Sequence, residues 1–172
     1  MRLDKLQRRQ DGVGLIEILV TVFILAVGFL AAARMQVTAM RNNQSAYFVS
    51  QAYFMAGDML ARMRANVDGV RDGAYDNLST SSVTADPQCD TQFCTPSQIA
   101  QQDLYDWSRN LVSDPADSNF IPLLPSSSTV TAIGSVQRLA SGQHSVVLEW
   151  ADENNGDTEG IGSLRLDLIA EQ

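Results

Sequence analysis

An α+β fold, with one long N-terminal helix packed on an antiparallel β-sheet, is what this sequence predicts, and three observations carry it. An apolar run, Val13–Ala33, passes without a proline into a stripe of residues four and three apart that continues to Met63. A second helix start stands at Thr95-Pro96. Beyond Pro125 the apolar period changes to two, the spacing of strands with one buried face.

The first 12 residues form a short polar leader in which Arg2, Lys5, Arg8 and Arg9 outweigh Asp4 and Asp11. The apolar run then has 21 residues, about 30 Å of helix, enough to cross a hydrocarbon core. The positive leader keeps the N-terminus in the cytoplasm and sends Arg34 onward across the membrane. A signal peptide ending at Ala31-Ala32-Ala33 is an alternative, but its apolar region should be shorter. A plain signal anchor explains the length and charge bias but not Glu17, the single charge in the run. A carboxylate at that depth is disfavoured by roughly 2.5–3.5 kcal/mol on insertion scales, so a partner for it is expected.

Gly12-Val13-Gly14-Leu15-Ile16-Glu17 resembles the cleavage site of type IV pilins and related prepilins. The resemblance implies a cut by prepilin peptidase after Gly12 and N-methylation of Val13. Val13 stands where the family usually has Phe, and Gly14 where Thr or Ser is common. Glu17, the fifth mature residue, can then pair with a neighbouring subunit's terminal amine and fix register, since a misplaced subunit would bury an unpaired charge. The alternative is a carboxylate that merely snorkels to the interface.

Helical signals continue past Arg34. Phe48, Ala52, Met55, Met59 and Met63 make one stripe, Asp58 and Arg62 can pair at i,i+4, and Asn66 and Gly69 supply the stop. A single helix over Val13–Asn66, 54 residues, would span about 80 Å. Gly28 and Gly57 are its expected weak points. Met35-Gln36, Arg41–Tyr47, Met59–Asn66 and Tyr75 are similar to the PilV-type minor pilins, also called type IV pilus modification proteins, and this similarity covers the first 75 residues closely. It implies a type IV pilin-like fold divided into a leader (1–12), a membrane and filament-core half-helix (13–33), a head-packing half-helix (34–67) and a head (68–172).

In the head, Ser79–Ser82 with Asp86-Pro87 reads as loop. Cys89 and Cys94 are the only cysteines, both beyond the membrane segment, and a disulfide closing their short loop is the natural reading. A metal site is the poorer alternative, because His144 alone does not complete a tetrahedral set. Thr95, Pro96 and Gln98 form a capping box with proline at the first helical position. Ala100, Leu104, Trp107 and Leu111 are the buried stripe up to a stop at Asp114-Pro115. Ser128–Ile133 and Ser135–Leu139 are strand candidates, or one bent strand broken at Gly134. His144–Ala151 and Gly162–Ala170 alternate cleanly, the first burying Val146, Leu148 and Trp150, the second Leu164, Leu166 and Leu168. The acidic loop Asp152–Glu159 is rich in oxygens, but its Gly156 and missing twelfth-position Glu depart from a calcium loop, and Asn155-Gly156 is itself a hairpin turn.

No nucleophile elbow, phosphate loop or paired metal motif occurs, and His144, opening a strand, reads as a surface or edge residue. The chain carries −8; without the +2 leader it carries −10, which disfavours nucleic acid. The resemblance implies a non-enzymatic building block without cofactor, held in the inner membrane with a periplasmic head and later in the pilus at the cell surface. Its implied partners are prepilin peptidase, the major pilin, other minor pilins and a tip adhesin, with a role in priming assembly, adhesion and twitching motility. The alternatives are a minor pseudopilin of type II secretion, or a bitopic binding module that never polymerises.

Overall fold

The computed structural model describes residues 14–83, 85–111, 121–152 and 160–168. The chain has two compact units, residues up to Arg41 and residues from Asn42 onward, and helix α1 (Leu15–Ala65) contributes to both. In the first unit every described side chain is exposed. Its apolar stretch is wholly unburied, and this helix is long and apolar enough to cross a membrane. The Thr21 hydroxyl donates to the Ile18 carbonyl (2.9 Å), which satisfies that donor where water would be absent.

In the second unit α1 buries Ala52, Met55, Ala56, Met59, Leu60 and Met63 along one face, with Phe48 half-buried at its edge. This is the expected stripe, and α1 passes through Gly28 and Gly57 without a break. It ends one residue before Asn66, whose side chain accepts from Gly69 N (3.2 Å) and caps a short helix α2 (Val67–Arg71). The expectation at Gly69 is corrected: it lies inside α2 and does not terminate α1. A Cβ at Gly69 would collide with the Asn66 amide, so the two residues need each other.

Among the described residues the sheet has four antiparallel strands in chain order: β1 (Leu78–Ser79), β2 (Ile133–Arg138), β3 (His144–Ala151) and β4 (Ile161–Leu168). The meander was expected; β1 was not. Leu78–Ser79 pairs with Val136 and Ser135, and Thr80–Ser82 makes one 3-10 turn, where a plain loop is the local reading. Residues 128–132 are outside the strand, and β2 runs straight through Gly134. A Cβ there would overlap the ring of Trp107, so this glycine marks a close approach, not a break. Gly162, paired with Trp150, makes room for the second indole in the same way. Leu164 is half-buried against the core, whereas the side chains of Leu166 and Leu168 lie outside the described ones.

Helix α3 (Pro96–Ser108) begins with the full capping box: Gln98 N donates to Thr95 Oγ1 (3.3 Å) and Thr95 N to Gln98 Oε1 (2.9 Å). Its stripe of Ala100, Leu104 and Trp107, followed by Leu111, is buried as expected. The helix stops at Ser108, earlier than Asp114-Pro115, which lie outside the described residues. Tyr75, both tryptophans, Val136, Val146 and Leu148 complete one core beneath the second half of α1.

Candidate assembly site

The expected processing residues Gly12 and Val13 lie outside the described residues. Glu17 is exposed in the first turn of α1, where its backbone N–H donates to Gly14 O (2.9 Å). A carboxylate in that turn also complements the partial positive charge of a helix N-terminus. Around it Leu15, Ile16, Ile18 and Leu19 are exposed, so the acid sits on an unpartnered apolar surface.

Where α1 ends, the residues of the Arg62–Asn66 stretch and Tyr75 converge. Arg62 Nε donates to Asp58 (2.9 Å) within α1, and its Nη1 reaches Asp103 (3.3 Å) and Asp106 (3.6 Å) on α3. Burial works to lower the Arg62 pKa, but bonds and charge from Asp58 and Asp103 outweigh it and hold the guanidinium above its ordinary value. Tyr75 is fully buried and its hydroxyl donates to Asp103. Burial first, then that carboxylate, pushes the phenol well above its usual range. Asn66 Nδ2 donates to Tyr75 Oη (3.1 Å) and to Pro96 O (2.8 Å). Four segments are thus tied through one polar node: α1, the α2 turn, the Tyr75 segment and the start of α3. Asp103, its centre, was not singled out in the sequence; its place beside Leu104 on the buried stripe was the available signal.

A second node joins the Tyr75 segment to the sheet. His144 is 2% exposed, so the reading as a surface or edge residue is corrected. Its Nε2 lies 2.8 Å from Asp76 Oδ1, and Arg138 Nη1 donates to Asp76 Oδ2 (3.0 Å). His144 Nδ1 is buried and has no hydrogen-bonding partner among the described residues. With Arg138 on its other oxygen, Asp76 ties the Tyr75 segment to β2 and β3, and the group acts as a clamp. Burial opposes ionisation of Asp76, but the bonds from Arg138 and His144 prevail and hold its carboxyl below the ordinary value. Because the folded pKa is the lower one, the stability this carboxylate contributes is full above its unfolded value and disappears as pH falls through the folded one. Asp76→Asn should therefore destabilise the soluble unit from Asn42 at pH 7. The gap from wild type should close below about pH 4. Parallel melting curves across pH would check it; a gap independent of pH would count against the clamp.

Cys89 and Cys94 are disulfide-bonded, with Cα atoms 5.5 Å apart. The loop is fastened to α3 by Cys89 N donating to Gln102 Oε1 (3.2 Å). Replacing both cysteines by serine should lower stability by about 2 kcal/mol, the loop-closure value for so short a ring. Urea denaturation of the soluble unit measures this, and an unshifted midpoint would contradict it. Of the acidic loop after β3, residues 153–159 lie outside the described ones. Asp152 itself is buried and accepts from Ser45 Oγ (2.6 Å), which commits one of its oxygens to holding α1.

Two family models match the chain. The prokaryotic N-terminal methylation motif covers residues 7–33, and the Tt1218-like type IV pilin family covers residues 34–105. No curated protein and no solved structure matches. The methylation motif spans Gly12, Val13 and Glu17, and marks the chain as a structural protein processed by prepilin peptidase. The pilin match contains the Arg62–Tyr75 node and the disulfide loop. The two matches adjoin, so residues 7–105 are similar to the methylation motif and to the type IV pilin family, and a long helix packed on an antiparallel sheet is consistent with a type IV pilin fold.

Proposed function

We propose that this chain is a minor pilin of the PilV type, which helps other minor pilins to prime pilus assembly near the tip. Prepilin peptidase cuts between Gly12 and Val13 and methylates Val13. Residues 13–33 hold the subunit in the inner membrane with the head in the periplasm, then pack in the filament core beside the major pilin. Glu17 receives a neighbour's terminal amine. The head supports a tip adhesin, and through it adhesion and twitching motility.

The observation that carries this reading is an apolar helix exposed on every side, with one acid in its first turn, in a chain whose residues 7–105 match prepilin and pilin models. A helix of that kind needs a bilayer or other helices around it. The deciding experiment is the intact mass and N-terminus of the protein from membranes with and without functional prepilin peptidase. A peptidase-dependent N-methylated chain beginning at Val13, recovered in sheared pili at low copy, is the expected result. A chain beginning at Met1 in both membranes would overturn the proposal in favour of a bitopic anchor. Recovery with a secretion complex in place of pili would assign it to the pseudopilins.

A further inference from the structure

Phe93 stands at the end of the disulfide loop with a relative exposure of 108%, that of a residue in an isolated peptide. A lone exposed apolar side chain is ordinary, but the backbone beneath this one is locked. Besides the disulfide and the Gln102 tie, Gln92 Nε2 donates to Pro87 O (2.6 Å), and Thr91 donates to Gln88 O through both its amide (3.1 Å) and its hydroxyl (3.1 Å). Gln88 takes a left-handed φ of 59° and donates to Asp86 Oδ1 (2.8 Å). The capping box of α3 follows immediately at Thr95. The backbone that presents the ring is therefore held in advance, which lowers the ordering cost of docking it.

Charge narrows what it can meet. From Asp72 to Ser108 there are six acids and no Lys or Arg. Arg62 from α1 serves Asp103 and Asp106, and Arg138 with His144 serves Asp76. Asp86, just before the loop, and Asp90, within it, are exposed and have no ion-pair partner among the described residues. A second copy would present the same acidic span, and an anionic bilayer or nucleic acid would be repelled. Building on the pilin reading above, we propose that Phe93 is the anchor by which this head docks into an apolar socket, rimmed by Lys or Arg, on a neighbouring pilin subunit of a different kind.

The test uses the full-length chain expressed in its own host. Phe93→Ala should reduce its share in sheared filaments about tenfold or more, the scale of an interfacial aromatic anchor, while membrane level, cleavage at Val13 and melting temperature stay at wild-type values. Asp90→Lys should reduce the share similarly, and Phe93→Trp should retain most of it. A photoreactive phenylalanine analogue at position 93 should form an adduct with another pilin subunit at a peptide bearing Lys or Arg. Wild-type incorporation of Phe93→Ala, an undiminished charge-reversed variant, or an adduct with a second copy of this chain would each overturn the proposal. An uncleaved wild-type chain absent from filaments would overturn the pilin reading itself, a result separate from these.

Discussion

Trp107→Ala will destabilise the soluble unit by about 3–5 kcal/mol, the range for emptying a fully buried aromatic site. The ring is 0% exposed and fills the space that a Cβ at Gly134 would need, with Leu111 lying over the same glycine. Its Nε1 donates to the Met55 carbonyl of α1 (3.0 Å), so one side chain joins α1, α3 and β2. Truncation removes that bond and leaves a cavity walled by secondary structure on three sides, which cannot readily collapse. Trp150 supplies the contrast. It is equally buried, but its Nε1 has no partner among the described residues. Trp150→Phe should thus be milder than Trp107→Phe, because only the latter gives up a hydrogen bond. Urea denaturation of all three variants would decide it. A loss below about 1 kcal/mol for Trp107→Ala would remove this ring from the centre of the core, since that is the ordinary effect of an arbitrary substitution.

What the sequence revealed about this fold was its local part. The Phe48–Met63 stripe, the Thr95–Gln98 box and the alternation of β3 each depend on residues within one or two turns or along one strand, and each is where spacing places it. What escaped was set from far away. Gly134 reads as a break because an isolated glycine weakens a strand; its reason is the Trp107 ring, which no pattern within β2 announces. Residues 78–79 become a strand only because Val136 and Ser135 offer them an edge. His144 opens a strand and so looks marginal, until Asp76 and the core close over it. The Arg62–Asn66 stretch was recognisable as a family likeness without a physical account. The account is the polar node, in which Arg62 holds Asp103 and Asp106, Asn66 holds Tyr75 and the Pro96 carbonyl, and Asp103 receives the tyrosine. Glu17 stands out in the sequence because it is the one charge in an apolar run, and it is exposed in the first turn of α1.

Glu17→Ala should leave cleavage between Gly12 and Val13 largely intact yet nearly abolish recovery in filaments. On the proposed cleavage, Val13 would carry the terminal amine with Glu17 four residues along, and at the membrane edge amine and acid would both reach water. In that state the carboxylate is tolerated, and removing it should make insertion no worse. Inside a bundle of apolar helices the balance reverses. An amine buried there without its acid costs about 3–5 kcal/mol, the penalty for breaking a buried ion pair by deleting one partner. A penalty of that size at the one place where this subunit meets its neighbour is enough to exclude it. Glu17→Asp, which keeps the charge but shortens the reach, should fall between wild type and Glu17→Ala. The measurement is the ratio of mature protein in sheared filaments to mature protein in membranes, with the mass of each pool verifying the Val13 terminus. Normal filament recovery of a properly processed Glu17→Ala chain would mean that the acid only snorkels to the interface, and that register is set by helix packing alone.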